Sequence, residues 1–362
     1  MALFRWVLTL LLTLHLLSCQ RVNNDEPALP ADEEPMFQDT FQAFGTIVSI
    51  NIVGLDEKNA QDYTAAIMAD LIRLYGFWHP REPGPLARIN SLLPTGGHFY
   101  MSPSSLPLFE NSIPQNTRSG RLFDPGLGTL IELWGFHDMS KPPTAPPRQQ
   151  AIDEVLRRRP SLGDVELNGL EIWSKNKAVL LDFGAIAEGV ALEMEVNRLK
   201  SFGIKNALLN VGGDLRAIGQ RGKRAWRVGI KNPRGNDMIA VVETHGDESV
   251  FTSGDYERFF MYKGTRYHHI LDPRTGYPAR GSISVTVIHE HAPTADAGST
   301  ALFIAGPERW RQTAENMGIK YVMLIAEDQT IYMTKEFASR VKLKKSAAGK
   351  KIIIADETHE SR

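Results

Sequence analysis

The sequence predicts an α+β fold with mostly antiparallel sheets and flanking helices, and three observations carry that prediction. Strand-like runs rejoin through turns too short for a crossover, as at Gly212-Gly213-Asp214 and at Lys263-Gly264, and such turns connect antiparallel neighbours. Residues 58–77 and 190–202 repeat apolar side chains at helical spacing and supply helices to cover a sheet. The small-residue turn Asp182-Phe183-Gly184-Ala185-Ile186-Ala187-Glu188-Gly189 has the wrong glycine spacing for a dinucleotide fingerprint and lacks the lysine of a Walker loop.

With 362 residues, 42% hydrophobic content and a formal charge of −1, the chain is long enough for a large core and shows no basic excess that would point to nucleic acid. No Pro/Gly/Ser-rich linker divides residues 37–335, so one large domain is expected there. The first 18 residues stand apart. Arg5 precedes an apolar run over residues 6–17 that is short for a membrane span and reads as a secretory signal. The single cysteine, Cys19, follows Leu16-Leu17-Ser18 in a pattern that resembles a bacterial lipobox. A lone exported cysteine has no internal disulfide partner, so lipidation at Cys19 is the expectation. Residues 19–36, acidic and proline-bearing, read as a flexible tether, and residues 336–362 as a charged, solvated extension.

Within the domain, residues 40–52 read as a strand interrupted at Gly45, which marks a bulge or a close backbone approach. The helix over residues 58–77 breaks at His79-Pro80, and a second spans residues 86–93. Residues 104–113 form a short helix that Pro114 is expected to stop. The turn Leu122-Phe123-Asp124-Pro125-Gly126 admits two readings: a carboxylate cap on the helix over 129–136, or a ring and carboxylate presented to a flat ligand. Residues 142–147 form a proline-rich loop and 148–159 a charged helix. Strands are expected over 165–172 and 178–181, delivering the chain to the turn that opens the helix over 190–202, which Gly203 ends. Free backbone N–H groups at such a turn suit an anion. Strands follow at 205–211, 215–218, 226–230, 238–244 and 283–288, and Pro293 starts a helix.

Three polar clusters lie between residues 252 and 300: Thr252-Ser253-Gly254-Asp255-Tyr256-Glu257-Arg258, His268-His269-Ile270-Leu271-Asp272-Pro273-Arg274-Thr275-Gly276, and Thr294-Ala295-Asp296-Ala297-Gly298-Ser299-Thr300. Hydroxyls, carboxylates and imidazoles beside turn residues are the chemistry of a site. Asp296 and Thr300, four apart on a helix, offer hard oxygens of the kind Mg²⁺ or Ca²⁺ prefers, or else cap the first turn. One of the paired histidines must face inward, and the other is available for acid–base work if a site surrounds it.

These clusters, in this order after the Asp182–Gly189 turn and Asn210-Val211-Gly212-Gly213-Asp214, resemble the ApbE family of FAD:protein FMN transferases. The resemblance runs from Phe44-Gly45-Thr46 to about residue 326 and implies an α+β fold related to the T-fold. It implies Mg²⁺-dependent transfer of FMN from FAD to a threonine or serine hydroxyl of a target protein, with release of AMP. Phe44, Leu122, Phe123, Asp124, Asp182, Glu188 and Ile270 would contact FAD. The Ala185 carbonyl, Asp296 and Thr300 would hold magnesium; His269 would be catalytic, with Asp255 supporting the base or a metal-bound water. The implied acceptors are subunits of membrane redox complexes, such as the sodium-pumping NADH:quinone reductase and Rnf. A lipid-tethered enzyme facing the periplasm, on the inner or outer membrane, fits that setting.

Three positions depart from the commonest family pattern. Glu188 stands where many members have lysine, Gly126 replaces a threonine, and Pro80 falls where an aromatic ring often stacks, a role that Trp78 is expected to take over. The same residues would serve a Mg²⁺-dependent FAD pyrophosphatase that yields FMN and AMP, and a non-catalytic flavin-binding lipoprotein is the alternative from another class.

Overall fold

The computed structural model describes residues 35–355, all within one compact unit. Its centre is a nine-stranded sheet whose strands succeed one another in chain order: Met36–Ala43, Thr46–Val53, Ala207–Val211, Asp214–Ile218, Glu248–Gly254, Ser282–His289, Tyr321–Ala326, Ile331–Thr334 and Ile352–Ala355. Neighbours are antiparallel except the last pair, where Ile352–Ala355 runs parallel to Ile331–Thr334. The α+β architecture predicted from the short turns is therefore the one observed.

Both faces of the sheet are covered, which the period-2 alternation of strand side chains makes visible. In Tyr321–Ala326, Val322 and Leu324 enter one core while Met323 and Ile325 enter another. Over the first core lie the helices Glu57–Trp78, Leu106–Arg118, Ala187–Ser201 and Ala292–Met317. The last packs across Glu248–Gly254 and Ser282–His289 and against Ala187–Ser201. Fully buried Ala292, Ala295, Ala297 and Ala301 let it come that close. Gly306, at φ 69, and Pro307 kink it beyond the site. The second core is closed by a three-stranded sheet of Arg227–Lys231, Met238–Glu243 and Lys342–Leu343. A separate hairpin, Phe259–Tyr262 with Thr265–His268, turns through Lys263 and Gly264 at φ 47 and 78, as the sequence predicts.

Several expectations are corrected. The interruption at Gly45 is a hairpin turn rather than a bulge, because Phe44 and Gly45 both take positive φ, 53 and 71, between strands paired over Met36–Val53. Pro114 sits inside the helix Leu106–Arg118 instead of ending it. Residues 165–174 form a hairpin of Val165–Asn168 and Glu171–Ser174, and only Leu180 of the expected 178–181 strand pairs, in a lone bridge to Leu127. Nor are residues 336–355, the described part of the expected C-terminal extension, simply solvated. Phe337 is fully buried in the second core, and Ile352–Ala355 adds the ninth strand. The proposed signal, tether and Cys19 lie outside the described residues, except that a strand already begins at Met36. Among the described residues no helix is long and apolar enough to cross a membrane.

Candidate active site

The site is organised by a contact between two helices. Ala187–Ser201 opens directly after the Asp182–Ile186 turn, and the N–H of Gly189 donates to Asp296 Oδ2 at 2.8 Å instead of to the carbonyl four residues back, that of Ala185. A side chain at 189 would sit 2.8 Å from both the Ala292 carbonyl and Asp296 Cβ, so only glycine permits the approach. The Ala185 carbonyl is thereby left without its helical donor, near a buried carboxylate. Thr300 joins the same set through a 3.1 Å contact between its Oγ1 and Ser253 Oγ, and Ser253 Oγ meets Ser299 Oγ at 2.8 Å. Strand Glu248–Gly254 thus delivers one hydroxyl and helix Ala292–Met317 two.

Carboxylates converge here at close quarters. Burial and the charge of Asp296 push Glu188 up to about 8, and burial pushes Asp296 up to about 7. Asp214, whose Oδ1 accepts from the N–H of Thr252 at 2.8 Å, is raised by burial and by both neighbours, Glu188 and Asp296. Such a set repels itself unless protons or a cation enter it. No group of three or more His, Cys, Asp or Glu side chains among the described residues closes into a metal cage. Asp296, the Thr300 hydroxyl and the Ala185 carbonyl are the hard oxygen donors here that could hold a divalent cation, a chemistry that suits Mg²⁺.

The two histidines take opposite roles. His268, at the end of its strand, is buried against Phe303; its Nε2 donates to the Ala279 carbonyl at 2.9 Å and its Nδ1 accepts from the N–H of Ile270 at 3.3 Å. Burial pushes it down to about 4, and it is a satisfied core residue. His269 is only half-buried. Its backbone N–H and its Nδ1 both face the Arg258 carbonyl, at 3.0 and 3.3 Å. A carbonyl can only accept, so Nδ1 carries the proton and Nε2 presents a lone pair. Burial and then the Arg258 charge hold its pKa well below 6.5, keeping it neutral.

Asp255 is corrected. Its buried carboxylate is clamped by Arg234 at 2.7 and 2.6 Å and by Arg266 at 3.2 Å, with no hydrogen bond to His269. It ties the Asn232–Asp237 turn to the hairpin that leads to His269. That is an anchoring role, and it supports the base only through the fold.

The expected flavin contacts divide. Phe44 lines a cavity of about 450 Å³ with Tyr75, Ile72 and Ile47. Thr46, in the same turn, lies where a side chain on Gly212 would touch it at 3.1 Å, two residues from Asp214. Asp182 is half-buried beside the helix-opening turn, its Oδ1 accepting from Gly184. Phe123, however, is buried in the main core, and Asp124 accepts from Gly126 N–H, Leu162 N–H and Ser161 Oγ at 2.8, 2.8 and 2.6 Å. Neither reading of that turn holds as stated: Asp124 binds its own turn to Ser161 and Leu162, and the helix Gly128–Leu133 has no side-chain cap; Leu122 and Asp124 are partly buried at the edge of the core. Gly126 is required in this chain because a Cβ there would collide with the Ser161–Leu162 backbone. Ile270 is in the core, its N–H and C=O used by His268 and Ala279, so its side chain offers no contact. Trp78 is buried too, donating to the Ser104 carbonyl at 2.8 Å, which removes it as the stacking ring; Tyr75, edge-on to Phe44 at 5.5 Å, is the exposed aromatic at that place.

The sequence motifs include Asp214 and Arg258, but sequence reasoning gave neither a role. Asp214 follows two positive-φ glycines, a signal present in the sequence, whereas the second role of Arg258 resides in its backbone carbonyl, which residue type does not reveal.

The model of the ApbE family matches residues 44–323. An FAD:protein FMN transferase of Rhodobacter capsulatus is 36% identical over 307 residues, covering 85% of this chain but 58% of that relative, so the chain spans little more than half its length. One from Vibrio cholerae is 31% identical over 265 residues, 72% of this chain and 77% of the relative. The crystal structure of an ApbE protein from Thermotoga maritima superposes with a TM-score of 0.77 at 33% identity, over 84% of this chain and 99% of that one.

Proposed function

The chain belongs to the ApbE family, and on that premise we propose that it transfers FMN from FAD to a threonine or serine hydroxyl of an acceptor protein, releasing AMP. One observation supports the reading above others: the Gly189–Asp296 contact gathers mutually repelling carboxylates with a carbonyl that lacks its helical donor, and Arg258, whose charge acts on Glu188, links them to His269, a neutral imidazole with an open nitrogen. Phosphoryl transfer needs those two parts, one for the anionic phosphates and one for the proton.

In the reaction, the acceptor oxygen bonds to the FMN phosphorus, the bond from that phosphorus to the bridging oxygen breaks, and AMP departs with the electron pair. The hydroxyl proton passes to His269 Nε2, whose ring the Arg258 carbonyl holds in the accepting tautomer. Asp296, Thr300 and the Ala185 carbonyl would hold Mg²⁺, which when bound supplies charge compensation for the pyrophosphate. Phe44 and Tyr75 offer an apolar wall to a flat ring, and Asp182 and Glu188 approach the ligand from the helix-opening turn. Glu188 in place of lysine is compatible with this arrangement because it faces Asp296 and is protonated or screened there. Lipidation at Cys19 would tether the enzyme to a bacterial membrane on the periplasmic side, where subunits of the sodium-pumping NADH:quinone reductase or of Rnf-type complexes are suitable acceptors.

The test incubates the protein with FAD, Mg²⁺ and such a subunit and follows AMP and in-gel flavin fluorescence together. Equal amounts of AMP and labelled acceptor are expected. AMP with free FMN and no labelled band would establish a pyrophosphatase, and bound FAD without AMP a carrier.

A further inference from the structure

The hairpin Phe259–Tyr262 with Thr265–His268 is a two-stranded sheet in its own right, and no other strand among the described residues pairs with either edge. Its first strand is almost wholly apolar, Phe259-Phe260-Met261-Tyr262, and Met261 is 55% exposed. A free edge of that composition is a template for another strand. Cations bound it: Arg258 and Lys263 at its two ends, and Arg266 directly across from Met261. Lys263 lies over the Tyr262 ring at 5.3 Å and Arg266 over Phe259 at 4.2 Å, so aromatic faces hold part of this charge in place. Two carboxylates lie at the hairpin, Asp255, which is shared between Arg234 and Arg266, and the exposed Glu257 beside Arg258; against Arg234, Arg258, Lys263 and Arg266 they leave the surface positive.

The edge also starts near the site. Arg258 immediately precedes the strand and pairs across the hairpin with His269, its carbonyl receiving both the N–H and the Nδ1 of that residue, so the imidazole sits at the end of the adjoining strand, one strand over from the free edge. Flanking cations can serve merely to keep an edge from self-association. That role alone does not require the edge to start one strand over from the imidazole of a reaction centre.

From this juxtaposition we infer that the free edge of Phe259–Tyr262 receives the acceptor protein, as an added extended strand rich in acidic residues that carries its hydroxyl to His269. The inference rests on the transferase reading, since it supplies the second substrate of that reaction. Strand addition gives affinity through main-chain hydrogen bonds and selects through side chains and charge.

The test uses the full chain and two fluorescein-labelled synthetic peptides of equal length with a central threonine, one flanked by glutamates and one by lysines, read by fluorescence anisotropy. The acidic peptide is expected to bind in a salt-dependent manner and the basic peptide not to. Met261→Glu combined with Lys263→Glu, outside the catalytic machinery, is expected to weaken the acidic peptide about tenfold while FAD binding, followed by quenching of flavin fluorescence, is unchanged. Backbone N-methylation of the peptide is expected to weaken it similarly. Equal binding of both peptides, no binding of the acidic one, or wild-type affinity in the double variant or the methylated peptide would overturn the inference. Because docking is read without turnover, a chain that docks the acidic peptide but never labels an acceptor would count against the transferase reading alone.

Discussion

Replacing Glu188 by glutamine should stabilise the metal-free protein at alkaline pH, and the size of the effect follows from the carboxylate cluster. Burial and the neighbouring Asp296 raise Glu188 from 4.5 to about 8. A carboxyl with a raised pKa binds its proton more tightly in the folded state. Its contribution is therefore fully present below about pH 4.5 and is lost as pH rises through about 8, where the folded protein bears the whole cost of an ionised group. A shift of roughly 3.5 units corresponds to ~5 kcal/mol. That is an upper bound, because Asp296 competes for the same proton and Arg258 offsets part of the charge. About 2 kcal/mol is expected from neutralising the side chain, a rise of a few degrees in Tm. Thermal unfolding in chelator at about pH 8.5 and about pH 5 makes the comparison. The Glu188→Gln variant should melt higher than wild type at the first pH and alike at the second. A gain of equal size at both, or none at either, would refute the claim that repulsion within this cluster is the source.

Other consequences follow from individual contacts. His269→Asn should abolish acceptor labelling while leaving FAD binding intact. Because burial and Arg258 hold His269 below 6.5, the wild-type rate should not fall as pH drops through 6.5, and a midpoint at that value would argue for another base. Gly126→Thr should cost about 3 kcal/mol by forcing a Cβ into the Ser161–Leu162 backbone, measurable by urea unfolding. Asp255→Asn should lose about 2 kcal/mol, since it leaves Arg234 and Arg266 without their shared carboxylate. Its labelling rate should fall through misplacement of the hairpin, with the pH profile unchanged.

What could be read from the sequence was what local chemistry decides. The turns at Gly212-Gly213 and Lys263-Gly264 announce positive φ, and both sit where antiparallel strands reverse. The Asp296/Thr300 spacing was likewise legible, since the two residues fall one turn apart on Ala292–Met317, and the adjacent histidines split into a buried His268 and a half-buried His269 as strand alternation requires. Tertiary packing decided the rest. Whether Phe123 and Trp78 face a ligand or the core depends on which neighbours cover them, and both proved to be core. Pro114 survives inside a helix that packs on Ala292–Met317. The C-terminal strand looked like a solvated tail because Ile352, Ile353 and Ile354 lie among lysines, and only pairing with Ile331–Thr334 reveals its place. Asp255 was indistinguishable from a catalytic carboxylate until Arg234, 21 residues away, was seen to hold it.

The most direct test concerns Asp296, on which the helix contact, the carboxylate cluster and the proposed metal converge. AMP release and acceptor labelling should be measured together across a Mg²⁺ titration for wild type and Asp296→Ala. The wild type should show both products rising with Mg²⁺ in equal amounts, and the variant should show neither at any concentration while remaining folded. Labelled acceptor formed by the variant at wild-type Mg²⁺ would contradict the assignment of this cluster as the reaction centre.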